Sequence, residues 1–272
     1  DVTINVTLNE FEAANHFGFT PGEVSDPFYL TIDPVNDAPL ASGTASVVAV
    51  NEDTDTHNGN ALNALLTPNY NDATNDNVNS SDQSTSLGQV AIVGNAATSA
   101  QGTWQYSTDG GTAWNDIPAT GLSTSNALVI TTDADAQVRF LPTANWHGES
   151  LPLTVHLADG TATTEGTGQD ISSILGGTHQ WSAATAQIKA TIDSVNDRPI
   201  VTPVNLTAIN EDTADPSGTT ITTLFSSSFD DSTDDQSSDS GGNDAATSIQ
   251  GLAIVGNSAD STTEGEWQYY DG

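Results

Sequence analysis

The chain of 272 residues contains no cysteine, no methionine and only three basic residues against 36 acidic ones, giving a formal charge of −33. Without cysteine, no disulfide can crosslink the fold, and the sequence does not reveal the redox state of its compartment. The negative charge repels nucleic acids and anionic membranes, so neither is expected as a partner. No run of about 18 apolar residues and no signal peptide is found, so we expect no membrane insertion and place any export signal elsewhere in a longer chain.

Two copies of one short segment organise the chain. They are residues 33–39 (DPVNDAP) and residues 193–199 (DSVNDRP), and we call residues 33–37 and 193–197 the first and second connectors. Each follows a short alternating apolar run and ends in proline, which stops a strand and keeps the preceding residue extended. Each connector carries Asp, Asn and Asp within its five residues, and such side-chain oxygens are expected where a hard cation stiffens a hinge.

The segments that follow the two connectors also match, which indicates an internal repeat. The connectors lie 160 residues apart (195 minus 35), and the later matches have offsets of 159 to 163. The matching motifs are NEDT at 51–54 and 210–213, YNDATNDN at 70–77 and FDDSTDDQ at 229–236, AIVGN at 91–95 and 253–257, and WQY at 104–106 and 267–269. We therefore predict an array with three parts: residues 1–37 end a preceding domain, residues 38–197 form one complete copy, and residues 198–272 begin the next.

Short β-branched and aromatic runs, separated by clusters of Gly, Asn, Asp and Ser, predict an all-β chain of antiparallel Greek-key sandwiches. The hairpin signal at 108–111 (TDGG) is the strongest local feature, because Asp-Gly suits a tight turn. Strands are predicted at residues 1–8, 28–32, 45–50, 61–66, 89–93, 103–107, 127–131, 137–141, 151–157 and 186–192.

The reach of the chain assigns acidic residues to the two ends of the complete copy. The fifteen residues from Asp37 to Glu52 span roughly 50 Å when extended, which places Glu52 at the far end, beside the second connector. The return strand brings the loop after residue 70 back to the first connector. Continued alternation places Asp133 and Asp135, and also Asp159, at that same end.

The motifs VNDAP, NEDT, GTWQYSTDGG, VRFLPTANWHGE and WSAATAQIKATIDSVND together resemble the cadherin-like tandem repeats of large secreted bacterial surface proteins, including extender regions of repeats-in-toxin adhesins. The likeness covers nearly the whole chain. It implies an immunoglobulin- or cadherin-like sandwich, a secreted or cell-surface location, and calcium ions shared between neighbouring domains at each connector.

By this resemblance, calcium ligands would come together at two junctions, with Glu211 as the counterpart of Glu52 in the second copy. Asp133 and Asp135 join the predicted ligand set on the chain-reach argument. The first junction would use Asp33, Asn36, Asp37, Asp72 and Asp76; the second would use Glu52, Asp193, Asn196, Asp197, Asp231 and Asp235. The pattern departs from cadherins, because the loop reads DxxxD and Arg198 follows the second connector. The alternative is that these residues cap turns or keep the surface soluble.

Catalysis has little support in the sequence. Its five histidines form no HExxH pair and no GxSxG elbow occurs, so we expect no enzyme. Among the aromatic residues, Trp104 and its counterpart Trp267 are predicted to lie in the core. Trp114, just after the hairpin, is the candidate for an exposed platform that stacks a sugar.

Three functions follow from these patterns. The first is a calcium-stiffened extender of a bacterial cell-surface adhesin or filament, whose partners are the neighbouring repeats of the same chain. The second is an adhesin domain that binds a host or biofilm glycan or protein. The third is homo-assembly, in which neighbouring chains complete each other's end fragments into a filament.

Overall fold

The computed structural model describes residues 35–73, 84–160, 162, 164–234 and 245–270. The chain divides between Pro34 and Val35, and all described residues belong to the unit that begins at Val35. The predicted strands at 1–8 and 28–32 therefore lie outside the described residues. No helix in the described part of the chain is long and apolar enough to cross a membrane.

The described residues form an all-β fold with two five-residue helices, α1 (Leu62–Leu66) and α2 (Ile221–Phe225). The strands are β1 (Leu40–Ala41), β2 (Thr44–Ser46), β3 (Val50–Asn51), β4 (Asn60–Ala61), β5 (Tyr70–Asn71), β6 (Gln89–Asn95), β7 (Gly102–Ser107), β8 (Asn115–Asp116), β9 (Ala127–Thr131), β10 (Gln137–Pro142), β11 (Gly148–Glu149), β12 (Leu153–Ala158), β13 (Gly166–Gln169), β14 (Ala186–Lys189), β15 (Thr191–Asp193), β16 (Ile200–Val201) and β17 (Phe229–Asp230).

Residues 38–197 form a sandwich-like body. A six-stranded sheet has the order β13-β9-β6-β12-β14-β2, and a four-stranded sheet has the order β4-β10-β7-β8. A third sheet, β11-β15-β3, lies at the end where the copy meets the second connector. Most pairings are antiparallel, but β14 pairs with β2 and β15 pairs with β3 in parallel.

Alternating side chains explain how the two larger sheets share one core. On β10, Val138 and Phe140 are fully buried, whereas Arg139 between them is on the opposite face. Phe140 pairs with Trp104 of β7, and their rings meet edge to face with centroids 5.1 Å apart. Val90 and Ile92 of β6 enter the same cluster from the six-stranded sheet. Because successive side chains of a strand point to opposite faces, an alternating apolar and polar sequence predicts a strand with one buried face.

A second apolar cluster covers the outer face of the six-stranded sheet. Ala91 of β6 and Val129 of β9 point away from the main core and pack with Ile171 and Trp181. β6 is therefore buried on both faces over its first four residues. The sequence did not predict this layer, because residues 159–185 have neither a strand pattern nor a helical period.

The predicted hairpin is confirmed: β7 and β8 pair antiparallel around residues 108–111, and Gly110 and Gly111 have φ of 73° and 86°. The predicted strand at 61–66 is wrong, since residues 62–66 form α1. A single helical turn places Leu62 and Leu66 on the same side, and both are fully buried. The predicted strand at 45–50 is split into β2 and β3.

Residues 198–270 begin with the same local arrangement as the complete copy. β16 pairs with β17 as β1 pairs with β5, and α2 stands where α1 stands. Asp53 and Asp212, in the two NEDT segments, have nearly equal φ of 59° and 63°. Residues 245–270, all described, contain no strand.

The two copies differ in burial at matching positions. Trp104 is 0% exposed and Trp267 is 67% exposed. We predict that Trp104→Ala lowers the free energy of unfolding by about 3–5 kcal/mol, because it leaves a cavity in the core. Trp267→Ala, the matched control, should change it by no more than about 0.5 kcal/mol. Urea unfolding measures both; equal losses would contradict the unequal burial.

His156 on β12 makes the stability depend on pH. Burial lowers its pKa, and hydrogen bonds to the carbonyls of Ser182 and Ala184 offset this only in part. The unfolded state therefore binds the proton more readily. The free energy of unfolding should fall as the pH drops below about 6.5, the ordinary histidine value, toward the lower pKa of the folded state. His156→Gln should reduce this slope in melts across that range, whereas the exposed His179→Gln should retain it.

Candidate junction site at the second connector

The second connector begins at the end of β15, beside β3. Asp193 pairs with Asn51, and the next residue of the β3 segment, Glu52, donates its backbone N–H to the Asp193 carbonyl at 2.8 Å. This parallel pairing carries Glu52 to the connector, where the chain-reach argument placed it. Glu52 is 2% exposed.

The Glu52 carboxylate holds the connector backbone. Its Oε1 accepts the N–H of Val195 at 2.9 Å, and its Oε2 lies 3.6 Å from Nδ1 of His147. The neighbouring Asp53 accepts the N–H of Asn145 through Oδ1 at 2.9 Å, which ties the NEDT turn to the loop before β11. Hydrogen bonds from a backbone N–H to a carboxylate are among the stronger ones in proteins.

A carboxylate from the second copy holds the same connector from its other end. Asp234 lies in the 3₁₀ turn Ser232–Asp234, is 2% exposed, and accepts the N–H of Asp197 through Oδ1 at 2.7 Å. Asp231 is also buried, and its Oδ2 accepts both the N–H and the hydroxyl of Thr247, at 2.7 and 2.8 Å. The prediction chose Asp231 and Asp235 from the DxxxD pattern and did not include Asp234. The 3₁₀ turn brings Asp234 to the connector.

The first connector has a related arrangement. Asn36 donates its Nδ2 to the carbonyls of His179 and Asp37, at 3.1 and 3.4 Å. Asp72 is 4% exposed, and its Oδ2 accepts the N–H and the hydroxyl of Thr85, at 2.8 and 3.3 Å, as Asp231 does with Thr247. The predicted ligands Asp33, Asp76 and Asp235 lie outside the described residues.

Asp159 lies at the same end as Asp72. Burial of the Tyr70 hydroxyl is the largest cause of its raised pKa. The negative charges of Asp72 and Asp159 raise this pKa further. Thr85 links the two segments, because its hydroxyl also accepts the N–H of Gly160 at 3.1 Å. Asp159 is fully buried.

The remaining predicted ligands have other contacts. Asp133 accepts the N–H groups of Asp135 and Ala136 at 3.0 Å each, which is a turn-capping role, and the Asp135 carbonyl accepts the N–H of Gly110 in the hairpin. Asn196 donates to the Asp197 carbonyl, and Glu211 is exposed. Among the described residues, no three Asp, Glu, His or Cys side chains form a group that could hold a metal ion.

Trp114 is partly covered by its neighbours. The Arg139 guanidinium carbon lies 4.1 Å from the ring centroid, and a Cβ added at Gly59 would collide with the ring edge. Arg139 is fixed by hydrogen bonds to Gln105 Oε1 and the His57 carbonyl, each at 2.8 Å. Stacking of a sugar on that ring face would have to displace this cation–π contact.

No family model, curated protein or solved structure was found to match this chain.

The hydrogen bond between Glu52 and the Val195 N–H predicts a loss of stability when Glu52 is replaced, and the matching residue Glu211 provides the control. Glu52→Ala removes the carboxylate that accepts the part-buried Val195 N–H, and a hydrogen bond to a charged group contributes about 1.5–3 kcal/mol to the free energy of unfolding. Glu211→Ala, at the matching exposed position, should cost no more than about 0.5 kcal/mol. Urea unfolding of both variants measures the difference; a negligible effect at Glu52 would contradict the role assigned to it.

Proposed function

We propose that this chain is a structural extender segment of a secreted bacterial cell-surface protein, built from cadherin-like Greek-key sandwiches whose connectors are stiffened by calcium. The observation that carries the proposal is the second connector, which is held on both sides by buried carboxylates, Glu52 from the preceding copy and Asp234 from the following one. A linker shared in this way restricts the angle between neighbouring copies.

Carboxylate and amide oxygens are the donors that calcium prefers, and the chain has no cysteine to favour zinc. The described residues fit such an ion in part. Glu52 and Asp234 both contact the second connector, through the N–H groups of Val195 and Asp197. Among the described residues, however, no three acidic or imidazole side chains form a group that could hold a metal ion. Residues such as Asp235 would have to complete the site.

Charge gives calcium a physical role at these connectors. The chain carries −33, and two carboxylates brought close together repel by about 1 kcal/mol even in solvent. A divalent cation would remove this repulsion where the connector and the flanking loops meet. An ion that binds only the ordered junction adds about 1.4 kcal/mol of stability when its free concentration is ten times its dissociation constant.

The test compares thermal melts and small-angle scattering of the 272-residue chain in calcium, in magnesium and in EDTA. We expect calcium to raise the melting temperature and to give a longer, less flexible particle than EDTA does. Curves that do not respond to calcium would overturn the calcium part of the proposal.

Two isosteric variants separate calcium binding from the hydrogen bonds already present. Glu52→Gln and Asp234→Asn each keep a side-chain oxygen that can accept the connector N–H but remove the charge that binds a cation. Both should lose the calcium response at the second connector, whereas Asp215→Asn, an exposed charge control, should retain it. A full calcium response in the double variant would exclude these carboxylates as ligands. Asp37→Asn with Asp72→Asn tests the first connector in the same way, because the new amide oxygen at position 72 can still accept from Thr85.

A further inference from the structure

The complete copy contains the only Asn-Gly pair of the sequence, Asn58-Gly59. It lies in the irregular segment between the NEDT turn and β4, and Asn58 is exposed. Asparagine followed by glycine is the pair most prone to rearrange, because glycine has no Cβ to shield its backbone nitrogen from the asparagine side chain. The second copy has Ser217-Gly218 at the matching positions, so it keeps the glycine and lacks the asparagine.

Packing explains why residue 59 is a glycine. A Cβ at Gly59 would collide with the edge of the Trp114 ring and would lie 2.7 Å from the Val138 carbonyl oxygen. The glycine therefore lets this ring lie close to the backbone, where β4 meets β10. A Cβ at Gly218 would meet no atom within 4 Å beyond its chain neighbours. In the complete copy, the reactive pair cannot be removed at its glycine without moving Trp114.

The residues on either side of Asn58 are anchored to β10. Nε2 of His57 lies 2.8 Å from the Phe140 carbonyl oxygen. Asn60, the first residue of β4, pairs with Val138 in the antiparallel ladder. Asn58 is thus an exposed residue in a short segment whose two ends are held at a fixed spacing.

The two reacting groups of Asn58-Gly59 are not held. Within the part of the chain that the structure describes, neither the Asn58 side-chain amide nor the Gly59 N–H has a hydrogen-bond partner. The side chain can therefore rotate toward the nitrogen that follows it. The pair Asp159-Gly160 differs, because Asp159 is fully buried and the Gly160 N–H donates to the Thr85 hydroxyl at 3.1 Å.

The Asp-Gly pair of the hairpin shows how the fold holds such a pair in place. Asp109 Oδ1 accepts from the Ser107 hydroxyl and from the Ala113 N–H, at 2.8 Å each. The Gly110 N–H donates to the Asp135 carbonyl at 2.9 Å. Both the carboxyl group and the nitrogen that would attack it are engaged, so this pair is protected although it lies on the surface.

We propose that Asn58 modifies itself, through attack of the Gly59 backbone nitrogen on the side-chain carbonyl carbon of Asn58. The Gly59 N–H gives its proton to water, a new C–N bond closes a five-membered succinimide, and the bond to the side-chain nitrogen breaks, so that ammonia leaves. Water then opens the ring at either carbonyl. Opening at the former side-chain carbonyl gives aspartate, and opening at the backbone carbonyl gives isoaspartate. The reaction goes beyond the extender function and does not depend on calcium.

Isoaspartate would change the segment in two ways. The backbone then runs through the former side chain, which adds one methylene between the anchors at His57 and Asn60. The former Asn58 carbonyl becomes a carboxylate, and in the unmodified chain its oxygen lies 2.8 Å from Nδ1 of His57. Because the added length must fit between two fixed anchors, we expect the modification to weaken the hold of β4 on β10.

The test follows the mass of the 272-residue chain during incubation at neutral and at mildly alkaline pH. Replacement of the side-chain NH₂ by OH raises the mass, and peptide mapping with electron-transfer fragmentation locates the change and distinguishes isoaspartate from aspartate. We expect Asn58 to react first, to give more isoaspartate than aspartate, and to react faster at higher pH, because the deprotonated nitrogen is the nucleophile.

Two serine variants provide the matched comparison. Asn58→Ser introduces the side chain that the second copy has at Ser217 and should abolish the first mass gain. Asn126→Ser, at an exposed asparagine followed by Ala127, should retain it. The chain unfolded in guanidinium chloride gives the rate of an unconstrained pair. Modification of the unfolded chain alone would show that the fold protects Asn58 and would overturn the proposal, as would another asparagine that reacts first.

Amide exchange of the purified isoaspartate fraction tests the structural consequence. Exchange at residues 60–61, which form β4, should be several-fold faster than in the unmodified chain, whereas exchange at Ile92 in the main core should be unchanged. Equal exchange at residues 60–61 in the two forms would contradict the weakened hold of β4.

Discussion

Buried carboxylates accept hydrogen bonds from backbone amides in this chain, and the arrangement of the second connector depends on two of those bonds. With three basic residues for 36 acidic ones, ion pairs can serve only a small fraction of the charges. Glu52 accepts from Val195, Asp234 from Asp197, Asp72 from Thr85 and Asp231 from Thr247, in each case from a backbone N–H. A buried carboxylate must have such donors, because the cost of burying an unpaired charge is large.

Local sequence predicted the elements that depend on neighbouring residues. The Asp-Gly hairpin at 108–111, the alternation along β10 and the position of Glu52 at the second connector are all present. Each follows from turn chemistry, from period-two burial or from the length of extended chain. The same reasoning failed for α1, because five residues are too few to distinguish one helical turn from a short apolar strand.

Other features depend on contacts that are distant in sequence. The layer around Ile171 and Trp181 packs on β6 and β9 from a segment with no period of its own, so its sequence carries no pattern to detect. Asp234 reaches the connector only because a 3₁₀ turn places it there. The contrast between Trp104 and Trp267 makes the same point, since almost identical local sequences have opposite burial. Turns and caps are determined by residues that are close in sequence. The burial of a side chain is determined by the strands that pack on it, and these are often distant in sequence.

The parallel pairing of the first and last strands determines how the complete copy would respond to a pulling force. β2 lies beside β14, β3 lies beside β15, and hydrogen bonds join Gln187 to Gly43, Val47 to Lys189 and Glu52 to Asp193. The chain enters at one end of this pair of strands and leaves at the opposite end. Tension between the two connectors therefore acts along the strands and loads these hydrogen bonds together in shear, instead of opening them one after another.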